Sequence, residues 1–220
     1  PAILLHLCRL GIPTGLQMSM ITLGGMVLQS VLNGFGVVFV AGYTAANKLY
    51  GILESASVAF GYAMTAYMGQ NRGARNAARI DAGIRAVLVL SAEFTAAIVT
   101  AMLVAGKPLL GLFLSTEEAG AADALAVAYQ YLMVLMAFLF ALFMLQAYRS
   151  SLQGLGEMTV PTLSGFAEML MRMGAALVLP TFIGQSGVFF AEGAAWVCAA
   201  ALNLVWYYMR IGKIKREMMQ

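Results

Sequence analysis

Residues 126–148 read AVAYQYLMVLMAFLFALFMLQAY, 23 consecutive positions without a charge. The hydrocarbon core of a bilayer is ~30 Å thick, so a helix needs about 20 mostly apolar residues to cross it. This stretch meets that length. Working outward, five more apolar stretches occupy residues 14–33, 39–68, 82–106, 158–183 and 187–209. Backbone N–H and C=O groups in lipid must be satisfied within their own segment, so each stretch is expected to be a helix. The expected fold is all-α: a polytopic membrane bundle of six transmembrane helices over residues 12–210. A cytoplasmic amphipathic lead-in (1–11) and a basic cytoplasmic tail (211–220) flank it.

Composition supports the same class. Apolar residues make up 61% of the 220 and charged residues 10%, where soluble domains carry about 25% charged. A soluble core of this chain length would not bury six such stretches. The distribution of basic residues gives the orientation. With the first span running inside to outside, the inner segments carry Arg9, Arg72, Arg75, Arg79, Arg85, Arg149, Arg210, Lys213, Lys215 and Arg216. The outer segments carry Lys107, and Lys48 and Arg172 lie within spans. Such a bias sets topology, so both ends are expected on the cytoplasmic side of a bacterial cytoplasmic membrane. Glu117, Glu118 and Asp123 fall in the long outer loop. The basic tail is suited to anionic lipid headgroups, and no nucleic-acid partner is expected. Cys8 and Cys198 lie far apart, which implies no disulfide framework. The chain starts at Pro1 without a signal peptide, and residue 1 is expected not to be the biological start.

Turn and cap signals divide the spans. Pro13 sits early in the first span, where its missing N–H would be free anyway. Asn33-Gly34-Phe35-Gly36 closes that span and Gly69–Arg75 closes the second. Lys107-Pro108 is expected to stop the third. Ser115-Thr116-Glu117-Glu118 reads as a helix start in the loop that follows.

Polar side chains inside a bilayer cost roughly 2–4 kcal/mol each, so they face protein or a hydrated cavity. In the second span Tyr43, Asn47, Tyr50, Glu54, Ser57 and Gly61 follow helical spacing, and in the first Thr14, Met18, Thr22, Gly25, Gln29 and Asn33 do the same. Two facing polar stripes read either as the walls of a hydrated cavity or as interhelical hydrogen bonding that holds the bundle together. Glu168 and Arg172, four apart in the fifth span, form a favourable helical pair, read as a fixed ion pair or as a moving gate. Glu93, with only Ser91 and Thr95 nearby, reads as a neutral hydrogen-bonded carboxyl or as a proton site. The Met- and Phe-rich fourth span, including Met133 and Met136, offers adaptable surface for apolar ligands or simply core and lipid contact.

Enzyme chemistry is not expected. The sole histidine is His6, outside the spans, so no His-centred metal site or triad can form within them. No phosphate-cradling G-x-x-x-x-G-K-[ST] loop occurs. No cofactor is expected.

Several motifs, in order, carry a resemblance. They are Gly11-Ile12-Pro13-Thr14-Gly15-Leu16-Gln17, Ala45-Ala46-Asn47-Lys48, Phe60-Gly61-Tyr62-Ala63-Met64 and Gly69-Gln70-Asn71-Arg72-Gly73-Ala74. Arg149-Ser150-Ser151-Leu152-Gln153-Gly154-Leu155-Gly156, Pro161 and Glu168-Met169-Leu170-Met171-Arg172 follow. Together they resemble the C-terminal half of the multidrug and toxic compound extrusion (MATE) family. The resemblance implies one six-helix lobe of a two-lobe, twelve-helix transporter whose N-terminal lobe is absent from this chain. It implies export of drug-like cationic or amphipathic compounds, driven by entry of H⁺ or Na⁺. Sodium-linked members place acids in spans one and four, and neither has one here, so coupling is expected in the other lobe or at Glu54, Glu93, Glu168 and Arg172. Gln17, Thr22, Gln29, Asn33, Tyr43, Asn47, Tyr50, Ser57, Met133 and Met136 are the candidates for the substrate cavity. The alternatives are a flippase for lipid-linked precursors and a non-transporting membrane scaffold.

Overall fold

The computed structural model describes residues 2–114 and 120–219. The helix-start signal at Ser115–Glu118 lies outside the described residues, as does the side chain of His6. Among the described residues there are six α-helices and no strand: α1 Ala2–Leu32, α2 Val37–Gly73, α3 Ala77–Gly111, α4 Ala121–Gly154, α5 Thr159–Ile183 and α6 Phe190–Met219. Short 3₁₀ turns, Asn33–Phe35 and Gln185–Phe189, lead into α2 and α6.

At 1.5 Å per residue, even the 25-residue α5 is about 38 Å long, more than the hydrocarbon core requires. The helical stretches of α1, α3, α4, α5 and α6 are both long and apolar enough to cross a membrane. α2 has the length, 37 residues. Asn47, Lys48 and Glu54 make it the most polar of the six spans read from the sequence. The bundle also exposes large apolar side chains over its surface, among them Val37, Val104 and Phe182, as a surface facing acyl chains requires.

Several helix ends differ from those read in the sequence. α1 begins at Ala2, so the lead-in is its first turns and Pro13 lies inside the helix. α3 continues through Pro108 to Gly111. α6 runs to Met219, and its last turns pack inward through Ile211, Ile214 and Met218 while Lys215 binds Asp81 of α3. Proline lacks one N–H, but neighbouring turns can carry a helix past it.

α1 packs on α5, α5 on α6, α6 on α4, and α4 on both α2 and α3, which also touch each other. α1 and α2 follow one another in sequence, yet among the described residues they do not pack closely together. α1 lies at one end of this arrangement, and an open gap separates it from α2. The tightest seam joins α2 to α4, where small residues let backbones meet. A Cβ at Gly61 would lie 2.8 Å from Ser150 Oγ, and one at Gly154 would collide with the Thr65 carbonyl. Aromatic stacking consolidates the seam, where Tyr43 lies on Tyr131 of α4 with centroids 4.6 Å apart, and ties α2 to α6, where Tyr50 lies on Trp196 at 5.5 Å.

Candidate functional site

Four charged side chains form a chain of alternating sign across the middle of the bundle. Arg149 of α4 donates to Glu168 of α5 at 2.6 Å. The other oxygen of Glu168 accepts from Arg172, one turn further along α5, at 3.0 Å. Arg172 reaches Glu192 of α6 at 2.8 Å and donates to the Ile21 carbonyl of α1 at 3.0 Å. The side chains of Arg149, Glu168 and Arg172 are at most 6% exposed and that of Glu192 is 15% exposed. Four helices are thus tied through one network. Gly24 makes the α1 contact feasible, since a Cβ there would lie 3.2 Å from the Met169 backbone and 3.6 Å from Arg172 Cδ.

Beside this network lies a cavity of about 440 Å³. α1 contributes Thr14, Gln17, Met18 and Ile21 to its wall, and α2 contributes Glu54, Val58, Tyr62 and Thr65. Gln146, Arg149, Ser150 and Gln153 of α4, Glu168 and Arg172 of α5, and Trp196 of α6 complete its polar and aromatic lining. The gap left between α1 and α2 makes this space. Gln17 is fully buried; its Oε1 accepts from Gln153 at 3.0 Å. Gln17 Nε2, Arg149 Nε and Arg172 Nε have no hydrogen-bond partner among the described residues. A buried donor left unpaired costs about 1–3 kcal/mol, and a polar space of this size has room for several waters at ~30 Å³ each.

Glu54 is half-buried on the cavity wall and pairs with no lysine or arginine among the described residues. It therefore differs from Glu168 and Glu192, which are both held by guanidinium groups. The cavity wall presents one carboxylate without a basic partner, Glu54, one held by two guanidinium groups, Glu168, and several free N–H donors. Among the described residues no group of three or more His, Cys, Asp or Glu gathers as a metal site.

The family model for MatE matches residues 13–178. The chain belongs to the MatE family. Two relatives from Bacillus subtilis (strain 168) cover nearly all of it. The probable multidrug resistance protein YpnP is 30% identical over 214 residues, which is 94% of this chain and 45% of that protein. The probable multidrug resistance protein YoeA is 26% identical over 218 residues, 97% and 46% respectively. The chain spans about half the length of the curated relatives it matches. A crystal structure of MATE in complex with MaL6 superposes with a TM-score of 0.88 at 21% identity, over 98% of this chain and 48% of that one. An outward-facing multidrug resistance MATE transporter of the MOP superfamily gives 0.84 at 21%, over 95% and 47%. At these identities the structures show the fold alone: a six-helix MATE lobe.

The MatE lobe brings Gln17, Glu54, Glu168 and Arg172 to one cavity. It distributes the other residues singled out in the sequence elsewhere. Thr22 is exposed and bonded to the Met18 carbonyl of its own helix; Gln29 and Asn33 are exposed and bond each other at 3.0 Å. Asn47 is exposed. Tyr43 and Tyr50 are buried in the aromatic stacks, and Ser57 is buried and bonded to the Glu54 carbonyl. Met136 is core, and Met133 edges a separate groove beside Tyr129. Glu93 is exposed on the outer face of α3, and Ser91 and Thr95 on either side of it are buried.

Two members of the network were not singled out in the sequence. Arg149 reads there as an inner-loop orientation charge, because the apolar run ends at Tyr148. α4 continues to Gly154 and buries Arg149 against Glu168. Glu192 gives no local signal: its partner is on another helix, where no sequence spacing points.

Proposed function

We propose that this chain is the C-terminal lobe of a cation-coupled multidrug exporter, working with an N-terminal lobe in a bacterial cytoplasmic membrane. The observation that carries the proposal is the 440 Å³ cavity between α1 and α2, polar on its wall and enclosed by an apolar bundle. Polar groups inside a membrane bundle are costly and mark ion or substrate paths. Drug-like cationic or amphipathic substrates bind where the open α1–α2 edge meets the first lobe. H⁺ or Na⁺ enters at Glu54, the wall carboxylate without a basic partner among the described residues. The Arg149–Glu168–Arg172–Glu192 network holds α1, α4, α5 and α6 as one body while the lobes rock, as in alternating access by repeat-built transporters. The basic end of the bundle faces the cytoplasm.

A flippase for lipid-linked precursors would require a cavity of net positive charge. Here both guanidinium groups in the wall are neutralised by carboxylates, which favours cationic cargo. The test is dye export by the full-length protein in vesicles, with pH and sodium gradients applied separately. Glu54→Gln is expected to abolish gradient-driven export while leaving the protein monodisperse. Export by Glu54→Gln at the wild-type rate under both gradients would refute coupling at this residue.

A further inference from the structure

A larger cavity, about 940 Å³, opens at the end of the bundle where α1 begins, α2 ends and α4 turns into α5. We propose that it binds the phosphate headgroup of an anionic phospholipid. The proposal requires that the helices lie in a bilayer and is independent of the export reading.

Arg9 of α1 and Arg72 of α2 line this cavity. Neither has a carboxylate partner among the described residues. The carboxylate in the wall, Glu157, is already held by Arg210 at 2.6 and 3.2 Å. The cavity therefore carries two uncompensated guanidinium groups, and guanidinium matches phosphate through paired donors. The turn is shaped around one of them. Gly156 adopts φ 74, and a Cβ there would lie 2.6 Å from Arg72 Nη1. Any other residue at 156 would be strained in backbone and would displace the guanidinium. Thr159, in the first turn of α5, lines the same space, and Met158 before it makes no side-chain cap to that helix.

The other wall is apolar. Leu16 of α1 and Leu163 of α5 line the cavity and remain 51% and 57% exposed. Two unpaired positive charges beside exposed leucines, at the end of a membrane bundle, match an anionic head joined to an acyl chain. A soluble anion would use the charges and leave the leucines bare. Basic pockets between transmembrane helices bind acidic headgroups in this way. The occupant would bridge α1 to the end of α2 and to the α4–α5 turn. It would thereby brace the edge helix that otherwise packs mainly on α5.

The experiment uses the full-length protein in detergent, titrated with fluorescent phosphatidylglycerol and, in parallel, with fluorescent phosphatidylcholine. Wild type is expected to prefer phosphatidylglycerol. Arg9→Gln/Arg72→Gln is expected to weaken phosphatidylglycerol binding by on the order of tenfold and leave phosphatidylcholine unchanged. Arg9→Lys/Arg72→Lys should restore part of the preference, through charge without the paired donors, which separates loss of charge from loss of fold. Lys213→Gln, at the same end but outside the cavity, should have no effect. Equal binding by wild type and the glutamine double variant would overturn the proposal. So would displacement of the lipid by millimolar inorganic phosphate, which would make this a site for free anions. Equal protection of the cysteine in Leu163→Cys/Cys8→Ala from maleimide with and without phosphatidylglycerol would also overturn it, since another part of the protein would then cover the cavity.

Discussion

Glu168 carries two arginines, and its removal should separate the network into a tolerable part and an intolerable one. In Glu168→Gln, Arg172 keeps Glu192 at 2.8 Å and the Ile21 carbonyl at 3.0 Å. Arg149 keeps only Ser164, at 3.4 Å. Its guanidinium, 6% exposed, then lies in the bundle without an anion. Removing one partner of a buried pair costs about 3–5 kcal/mol, because the charge left behind is uncompensated. Glutamine keeps one acceptor oxygen, so the expected loss is at the lower end, about 3 kcal/mol. Arg149→Gln should be milder, about 1–2 kcal/mol, since Glu168 keeps Arg172. The double variant Arg149→Gln/Glu168→Gln has no stranded charge and should recover at least ~1.5 kcal/mol relative to the sum of the singles. The assay is a double-mutant cycle on full-length protein, with unfolding free energies from denaturing-detergent titrations. Additivity within ~0.5 kcal/mol would refute the reasoning, because residues that do not interact add to that accuracy.

Further predictions follow from packing and exposure. Gly154→Ala should lower stability by about 1–3 kcal/mol in the same titration, because a Cβ there meets the Thr65 backbone, which cannot yield as a side-chain tip would. Cys8 is exposed near the start of α1 and Cys198 is half-buried within α6. A membrane-impermeant maleimide should therefore label Cys8 in inside-out vesicles and spare it in right-side-out ones, read by mass shift on a Cys198→Ala background; labelling in both would contradict the orientation. Gln17→Leu removes the bond to Gln153 together with the unpartnered Nε2. It should change stability by no more than about 1 kcal/mol while reducing hydration of the cavity, measured as slower hydroxyl-radical labelling of Met18.

The helical class was legible because it rests on length and apolarity alone. The limits of each helix were less so. Hydropathy marks the segment that lipid can cover, whereas a helix continues as long as its backbone bonds and an inward face persist. α6 shows the difference: Ile211, Ile214 and Met218 keep an apolar stripe buried beyond the last apolar run, under a surface rich in lysine and arginine. That spacing was present in the sequence and was hidden by its charge. Charge hides the place of Arg149 in the same way. A basic residue at the end of an apolar run is ordinarily a topology signal, and only the course of α5 behind it supplies the carboxylate that makes it an interior residue.

In sequence the polar stripes of α1 and α2 read as facing each other, and the lobe gives them separate tasks. Tyr43 and Tyr50 turn into the packing with α4 and α6 and Ser57 is buried, whereas Thr22, Gln29 and Asn33 stay exposed on α1. The cavity forms from the residues between those extremes, Gln17 and Glu54, at the depth where α4 and α5 supply Arg149 and Glu168. Helical periodicity assigns a residue to a face of its own helix and says nothing about the neighbour on that face. Here the neighbours of α1 and α2 are α5 and α4, so the space between the two sequence-adjacent helices stays unfilled. A network of four charges spread over three helices can exist beside that space because each charge there has a partner of opposite sign. Glu54 is set apart by having none among the described residues, so a change in its charge would unpair no other member of the wall.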